Sequence, residues 1–562
     1  MNSRYIKLAL CGAVALGLGA CSDEPHGVST KHPVGTENPD KPQYSENDEV
    51  TSPKANFPLT TQKVTLNSSK TYQEMEGFGA SDCWLPNQIG QYWTSNRNEI
   101  AQLLFSQNIS SVTNEAVGIG LSVWRVNLGA GSAEQGDDSN IEPNNRAESY
   151  FYGGSWDWKK CAGQRYFMEQ AKNMGCENFV LFSNSPLVEY TANGMGYSDN
   201  GAYGNIKADA YTSYAEYMAE VAQHFTEQGY NISHISPVNE PQYNWGPGEN
   251  GEASQEGSGW QNKEVAQLAR ELDKSLSSRN LSTGIMIGEA GHWVCLYEGN
   301  SDRENCINAF FNPSSEAYVG DLSHIGNLIC AHSYWTMDTW SSMREVRAKV
   351  KAAADARGLK LYQTEWSMLD KAPADLTGGY EGASEFDIAQ YMSRIIHNDI
   401  TVAGVSSWSY WTAMSVERWG QKNRFELIKT TPVGGEYSDD FTQGGTVTAT
   451  PNLWVLGNYS LFVRPGYKRV ELSLDESKDF FGSAYVSPDS KTMVIVLTNY
   501  DKTNGVTVDM ARPAGTQAVF TYTTTADKNL KQSRFSHHHR LSFLIPQIIS
   551  HNKLYILRGV KI

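Results

Sequence analysis

The chain has 562 residues, and its 46 Lys and Arg against 62 Asp and Glu give a formal net charge of −16. Only 19% of the residues are charged and 11% are aromatic, which excludes disorder for most of the chain because disordered segments are rich in charge and poor in aromatic residues. The acidic balance argues against nucleic acid as a partner, since an acidic surface repels phosphate. The 15 Trp and 29 Tyr suit both sugar faces and ordinary protein cores.

The N-terminus has the pattern of an export signal. Arg4 and Lys7 precede an apolar run at 8–20 that is too short to span a bilayer, so residues 1–20 are predicted to be a signal peptide. The run ends in LGAC at 18–21, which resembles a bacterial lipobox and makes Cys21 the expected lipidation site. A plain secretory signal with an accidental cysteine is the alternative.

A tether is expected to follow the signal. Residues 21–57 are rich in Ser, Pro, Gly and charge, which predicts a flexible linker that holds the folded part away from a membrane. Asp23 and Glu24 resemble the surface-export signal of Bacteroidetes lipoproteins. The sequence therefore predicts an outer-membrane lipoprotein at the cell surface, with the periplasmic face as the alternative.

Eight short apolar runs alternate with longer segments of helical period between residues 72 and 418. The runs lie at 77–81, 122–129, 179–184, 234–240, 283–289, 328–332, 361–365 and 404–411. Helices are predicted at 208–228, 263–281 and 343–356. Eight such units predict an α/β fold, a closed (β/α)8 TIM barrel with its reactive groups at the C-terminal ends of the strands.

The pattern changes at residue 419. Short strands are predicted at 446–450, 468–472, 492–497 and 517–523, which indicates an appended antiparallel β-sandwich over 419–562. A spare strand within 58–71 is expected to join it. After Asp527 the chain has seven Lys or Arg and not one acidic residue, which indicates a divergent last strand around 542–545 or a frameshifted end, with a basic anchor as the alternative.

The cysteines show no metal-binding pattern. Beyond Cys11 and Cys21, the remaining six form no CxxC pair and have no zinc spacing. A disulfide between Cys295 and Cys306 and a set of six buried thiols are both open. The three histidines at 537–539 are too few to define a metal site. No metal and no cofactor are predicted.

Polar side chains end the predicted strands. They are Asn127, Asn184, Glu240, Glu289, His332, Glu365 and Trp411. Random placement would scatter them along the runs, so they indicate the rim of an active site.

Glu240 and Glu365 end the fourth and seventh runs, which face each other across a barrel mouth. Two carboxyls about 5 Å apart there suit hydrolysis of a glycosidic bond with retention, provided that their surroundings separate their pKa values. Helix capping or pairing with Arg125 is the alternative for a lone glutamate.

The motifs of this chain resemble those of glycoside hydrolase family 30, whose members are retaining barrels with an Asn-Glu acid/base. The matching pieces are GFG at 77–79 with Ser81, VWRVN at 123–127, SP at 185–186, NEP at 239–241, EW at 365–366 and YW at 410–411. The resemblance implies that Glu240 is the acid/base and Glu365 the nucleophile.

The stretches at 77–84, 123–132 and 184–186 look most like the endo-β-1,6-galactanase branch of that family. This likeness implies endo-hydrolysis of β-1,6-linked galactan in the side chains of arabinogalactan, a polysaccharide or oligosaccharide substrate. A β-1,6-glucanase, a xylanase or an exo-glycosidase of the same family is the alternative. A non-catalytic glycan-binding lipoprotein is the alternative of another class.

Further rim residues are expected to contact the substrate. The substrate-binding set is Asn239, Arg125, Asn184, His332, Tyr334, Trp411, Asp82, Trp84, Glu289 and Trp293. Asn239 is expected to bond a sugar hydroxyl, and Arg125 to lower the pKa of Glu365 or simply tie strands together. Trp411 is expected under the sugar, although each Trp fits a core equally well. The tryptophans expected to extend the groove are Trp84, Trp245, Trp293 and Trp335. The Gly-rich segment 245–259 is predicted to be a mobile loop.

Overall fold

The fold is described from a computed structural model of the protein. The structure describes residues 58–199, 201, 203–418, 420–511, 513, 518–534, 540–545 and 554–558. The predicted signal peptide, Cys21, the tether at 21–57 and the histidines at 537–539 lie outside the described residues. Within the described part, every helix is too short or too polar to cross a membrane.

Twelve strands form between residues 59 and 410. In chain order they are β1 (Leu59–Glu74), β2 (Gly77–Ser81), β3 (Val123–Asn127), β4 (Phe151–Tyr152), β5 (Ser155–Trp156), β6 (Asn178–Phe182), β7 (Ile232–Ser236), β8 (Gly284–Ile285), β9 (Gly288–Ala290), β10 (Leu328–Ala331), β11 (Lys360–Gln363) and β12 (Ser407–Tyr410). Each of the eight predicted runs overlaps a strand, and the fifth run is split into β8 and β9.

Nine of these strands form one curled parallel sheet in the order β8-β7-β6-β3-β2-β12-β11-β10-β9. Its two outermost strands are successive pieces of a single segment. Within that segment the Met286 amide donates to the Ile235 carbonyl at 2.8 Å, and the Ile287 carbonyl accepts from the Cys330 amide at 3.0 Å. The curl is consistent with a TIM-like barrel.

Eleven α-helices accompany this sheet. They are α1 (Leu85–Tyr92), α2 (Arg97–Phe105), α3 (Ser132–Gln135), α4 (Ala162–Asn173), α5 (Tyr211–Glu227), α6 (Asn262–Ser278), α7 (Val294–Tyr297), α8 (Cys306–Phe311), α9 (Trp340–Asp355), α10 (Gly379–Gly382) and α11 (Glu385–Asn398). Their spacing of apolar residues explains their packing: in α6, Val265, Leu268, Leu272 and Leu276 share one face and are all buried. The helices predicted from sequence correspond to α5, α6 and α9.

A small sheet follows the curled one. It joins β13 (Met414–Ser415), β14 (Ile428–Pro432) and β15 (Gly445–Ala449), and α12 (Pro451–Ser460) comes next. The strand predicted at 446–450 therefore forms, but it pairs with β14 and not with the predicted sandwich. Pro451 stops the strand from continuing and opens the helix, because proline suits the first helical turn.

The remaining strands form a second large sheet with β1. They are β16 (Lys468–Ser473), β17 (Phe480–Val486), β18 (Met493–Asn499), β19 (Gly505–Ala511), β20 (Phe520–Thr525), β21 (Lys528–Arg534), β22 (Arg540–Ile545) and β23 (Leu554–Arg558). This side sheet has the order β21-β20-β23-β18-β17-β16-β1-β19-β22. The first half of β1 pairs with β19 and its second half with β16, so one strand joins the two parts of the sheet.

The six cysteines in the described residues are free and buried. The possible disulfide between Cys295 and Cys306 is therefore absent from the structure. Burial raises the pKa of the Cys295 thiol to about 12, which keeps it protonated and unreactive.

Candidate active site

Two glutamates follow opposite strands of the curled sheet. Glu240 lies beyond the end of β7 and Glu365 beyond the end of β11, and their exposed fractions are only 7% and 5%. One carboxylate oxygen from each, together with a ring nitrogen of His332, lies within 4.8 Å of the others. This spacing suits a pair of carboxyls that flank one substrate bond.

The same three ligand atoms are close enough to hold a cation, whereas the sequence predicts no metal. Each of the three groups has a hydrogen-bonding partner among the protein side chains. His332 Nδ1 lies 2.9 Å from Glu240 Oε1, and the Tyr334 hydroxyl donates to Glu365 Oε1 at 3.0 Å. These contacts account for the cluster through protein side chains.

The backbone at two strand ends is held in an unusual conformation. Glu240 has a φ of 42° and Glu289 a φ of 39°, in the left-handed region that disfavours residues with a Cβ. The Glu240 amide donates to the Glu289 carbonyl at 2.9 Å and ties the two ends together. Such conformations cost about 1–3 kcal/mol each and persist where the surroundings enforce them, which is typical of functional sites.

Arg125 connects the groups at the centre of the site. It is buried on β3, where its Nη1 donates to Glu365 Oε2 at 2.8 Å and its Nη2 donates to Asn239 Oδ1 at 2.9 Å. Its Nη2 also lies 3.5 Å from Glu289 Oε2. One guanidinium thus fixes both Glu365 and Asn239, the residue before Glu240. Because Arg125 bonds the Asn239 side-chain oxygen, the Asn239 side-chain nitrogen can still donate to a substrate.

His332 and Glu289 form a charged pair behind the two glutamates. His332 Nε2 lies 3.1 Å from Glu289 Oε2. Burial opposes the charged imidazolium, but the carboxylates of Glu365, Glu240 and Glu289 overcome it and raise the pKa of His332 to about 10. Burial likewise opposes the Glu289 carboxylate, yet Arg125 and His332 lower its pKa to about 2. The surrounding carboxylates therefore favour the protonated form of His332.

Glu240 and Glu365 have different surroundings. Burial raises the pKa of the Glu365 carboxyl, while the charges of His332 and Arg125 act to lower it. Glu365 also accepts hydrogen bonds from Arg125 and Tyr334. Among the described residues, the carboxylate of Glu240 has His332 as its hydrogen-bonding partner. The two carboxyls therefore differ in their hydrogen-bonding partners, which suits them to different tasks.

Other predicted residues line this centre. Trp84 and Trp411 are partly exposed, and their rings meet edge to face with centroids 5.3 Å apart. Asn184 is buried, and its amide nitrogen donates to the Asn127 side chain at 3.2 Å.

Three residues predicted to bind substrate have no exposed surface in the structure. They are Asp82, Glu289 and Trp293. Asp82 accepts from the Asn127 amide at 2.8 Å, and burial raises its pKa to about 7. The indole nitrogen of Trp293 donates to Asp399 at 3.1 Å, so this ring is part of the buried packing.

The structure adds an aromatic ridge beside Glu240 that includes residues the sequence did not single out. Tyr243 packs against Trp245 with ring centroids 5.9 Å apart and against Trp335 at 5.6 Å. Trp335 is 49% exposed, and its amide donates to Asp370 at 2.8 Å. Both Tyr243 and Asp370 lie in loops without periodicity, and the closeness of Tyr243 to the NEP motif was the only available signal.

The loop predicted to be mobile is anchored in its second half. The buried carboxylate of Glu256 accepts from the Ala130 amide at 2.9 Å and from the Ser132 hydroxyl at 2.6 Å. Burial raises its pKa to about 7. The first half, at 246–252, is exposed.

Comparisons with known proteins agree with this geometry. The family model described as "O-Glycosyl hydrolase family 30" matches residues 61–422, more than half of the chain. An endo-beta-1,6-galactanase of Hypocrea rufa is 25% identical over 470 residues, which are 80% of this chain and 83% of that protein.

Solved structures have the same fold. A conserved exported protein from Bacteroides fragilis superposes with a TM-score of 0.79 at 29% identity, covering 88% of this chain and 99% of that one. The catalytic domain of a family 30 xylanase C from Talaromyces cellulolyticus superposes with a TM-score of 0.61 at 20% identity, covering 89% and 100%. The resemblance seen in the sequence motifs is confirmed, and the chain belongs to family 30 of the O-glycosyl hydrolases.

Proposed function

We propose that the protein is a retaining endo-glycosidase that hydrolyses β-1,6-linked galactan by double displacement. The observation that carries this proposal is the pair Glu240 and Glu365, whose carboxylate oxygens approach within 4.8 Å in unlike surroundings. The choice of galactan is supported by the similarity to the endo-beta-1,6-galactanase of Hypocrea rufa.

The proposed mechanism assigns one role to each carboxyl. The Glu365 carboxylate attacks the anomeric carbon while Glu240 protonates the departing glycosidic oxygen, and a covalent glycosyl–enzyme forms. Glu240 then accepts a proton from the water that releases the sugar. His332 bonds one oxygen of Glu240, which leaves the other to carry the transferred proton. Arg125 and Tyr334 hold Glu365 in line for attack.

The aromatic ridge supports action within a chain. The proposed acid lies on the side of the leaving group, and Tyr243, Trp245 and Trp335 lie beside it. The indole of Trp245 donates to the Glu240 carbonyl at 3.1 Å, which fixes the ridge to the acid. Flat rings there give a leaving glycan chain a surface to stack on. Trp84 and Trp411 would serve the sugar on the other side of the cleaved bond.

The alternatives within the family are a β-1,6-glucanase, a xylanase and an exo-glycosidase. A non-catalytic glycan-binding lipoprotein is the alternative of another class. The close pair of buried carboxyls argues against the last, because burying unused acids without benefit is unfavourable.

Finer points of architecture and location are part of the proposal. We infer that the curled sheet closes through its split fifth strand into a (β/α)8 barrel at 72–418, and that the side sheet, which joins β1 to the strands from β16 onward, folds into a sandwich. The similarity to a conserved exported protein supports export from the cytoplasm. Lipid attachment at Cys21 and an outer-membrane location follow from the lipobox-like sequence alone.

The test is digestion of β-1,6-galactan, β-1,6-glucan and glucuronoxylan, with product sizing and proton NMR of the first anomer released. We expect oligosaccharides from the galactan with the β-anomer appearing first. Release of monosaccharide alone would show that the enzyme acts at chain ends, as an exo-glycosidase, and not within the chain. An α-anomer appearing first would exclude retention, and cleavage of no polymer would favour the binding protein.

A further inference from the structure

A groove of about 350 Å³ lies over helix α5, away from the two glutamates. One wall consists of aromatic side chains from the β4–β5 hairpin and the loop after β6, namely Phe151, Trp156 and Tyr190. The other wall is charged, with Glu220 of α5 and Arg279 after α6 among its members. The residues lining this groove include none of those that surround Glu240 and Glu365.

The aromatic wall is rigid. Trp156 stacks on Trp158 with ring centroids 4.8 Å apart and on Tyr217 at 5.6 Å, and Trp158 stacks on His224 at 3.7 Å. Tyr217 and His224 lie seven residues apart on α5 and so share one face of that helix. Trp156 is nonetheless 38% exposed. The stack therefore fixes the ring without covering it, and little conformational entropy is lost when a ligand binds.

The charged wall is also fixed in place. Arg279 Nη2 lies 2.6 Å from Glu216 Oε2 and 3.3 Å from Glu220 Oε2, and Ser275 donates to Glu216 Oε1 at 2.6 Å. The exposed sides of these groups still offer donors and acceptors to the groove. Ser213, at the first turn of α5, adds a hydroxyl.

We propose that this groove is a second saccharide-binding site that holds a short neutral oligosaccharide. Partly exposed rings suit the apolar C–H face of a sugar, and fixed carboxylates with a guanidinium suit its hydroxyls. A purely apolar ligand would strip water from Glu216, Glu220 and Arg279 without replacing their hydrogen bonds, which is unfavourable. The volume lies within the range typical of small-ligand clefts.

The inference rests on the proposed action on a polymeric glycan and goes beyond it. An enzyme that cleaves long chains gains from a second contact, because binding at one site raises the effective concentration of the same chain at the other. A short oligosaccharide bound in the catalytic cleft alone gains nothing from it. The second site should therefore affect polymers and spare short substrates.

The experiment compares three variants on one hairpin and one helix. Trp156→Ala removes a ring from the groove, and Ser213→Tyr fills the groove without removing a contact. Tyr152→Ala is the matched control, because Tyr152 is 39% exposed on the same hairpin and does not line the groove. Binding of β-1,6-galactan and of β-1,6-glucan is measured by affinity electrophoresis in a Glu365→Gln background, which prevents cleavage. Turnover of a β-1,6-galactotriose and of the polymer is measured with Glu365 intact.

We expect Trp156→Ala and Ser213→Tyr to weaken polymer binding roughly fivefold or more, with Tyr152→Ala unchanged. The KM for polymer should rise while kcat/KM for the trisaccharide stays the same. Equal polymer binding in all three variants would overturn the proposal, and so would loss of trisaccharide turnover in Trp156→Ala, which would make the groove part of the catalytic cleft. If the wild type cleaves no galactan but Trp156→Ala still weakens binding of a polymer, the proposed substrate is wrong and the second site stands.

Discussion

The mouth of the curled sheet and the interior of the side sheet bury opposite kinds of side chain. At the mouth, Arg125, Glu289 and His332 are buried as charges in contact with one another. In the side sheet, the buried cluster is apolar and includes Val64 and Phe480. Buried ion pairs return little net stability because desolvation offsets their attraction, whereas apolar burial stabilises at about 25 cal/mol per Å². The mouth thus specifies geometry, and the side sheet supplies stability.

The largest effect on activity is expected from the two glutamates at the mouth. Glu365→Gln should lower kcat by roughly 10⁴-fold or more on every substrate, because the amide cannot replace the carboxylate that is proposed to attack the anomeric carbon. Glu240→Gln should lose comparable activity on polymer. It should keep substantial glycosylation of an activated aryl glycoside, because such a leaving group departs without a proton.

Single-turnover kinetics with polymer and with a dinitrophenyl glycoside check both variants. The nearly isosteric Gln keeps the packing of each site, so a melting temperature close to that of the wild type serves as the control. Full turnover by Glu365→Gln would end its assignment as the nucleophile. An identical dependence of both variants on the leaving group would contradict the separate roles.

Removal of the central cation is expected to have the next largest effect. Arg125→Met leaves Glu365 and Glu289 buried without their guanidinium, so we expect kcat to fall roughly 10²-fold and the free energy of unfolding to fall by about 3–5 kcal/mol. Loss of a positive charge raises the pKa of Glu365. Since the nucleophile must be ionised, the acidic limb of the kcat/KM profile should move to higher pH.

A matched control separates electrostatics at the site from general instability. Arg347 is also buried, and its Nε lies 2.7 Å from Asp399 and not from either glutamate of the pair. Arg347→Met should lose comparable stability but leave the pH profile in place. A shift of the acidic limb in both variants, or in neither, would mean that Arg125 does not tune Glu365 directly.

A smaller effect is expected from the ridge beside Glu240. Trp335→Ala should raise the KM for polymer roughly three- to tenfold and leave turnover of the aryl glycoside unchanged, because the ring is proposed to contact only the leaving chain. Tyr92→Ala, which removes an exposed ring at the end of α1, is the control. An unchanged KM for polymer in Trp335→Ala would mean that this ring does not contact the substrate.

The same contrast explains which features the sequence could predict. Apolar runs with polar ends follow directly from parallel strands in a curled sheet, so the strand positions and the pair Glu240 and Glu365 could be predicted. Two features could not be predicted, namely the interruption between β8 and β9 at 286–287 and the pairing of the strand at 446–450 with β14. Both depend on tertiary contacts, which leave no local pattern in the sequence. Trp293 shows the limit for aromatic residues, because a Trp after a strand suits a groove or a core equally, and the deciding partner, Asp399, lies 106 residues away.

The smallest effect on activity is expected in the side sheet, where two neighbouring residues of β17 face opposite sides. Phe480 packs in the apolar cluster with Val64, whereas Phe481 lies 5.4 Å from Trp340 and 4.8 Å from His397, on helices α9 and α11.

Either Ala variant should lower the free energy of unfolding by about 3–5 kcal/mol in urea. Phe480→Ala should leave kcat/KM unchanged well below its melting temperature. Phe481→Ala should lower kcat/KM a few-fold, because α9 packs against β11, which leads to Glu365. Equal losses of activity would show that the apolar interior of the side sheet also shapes the site.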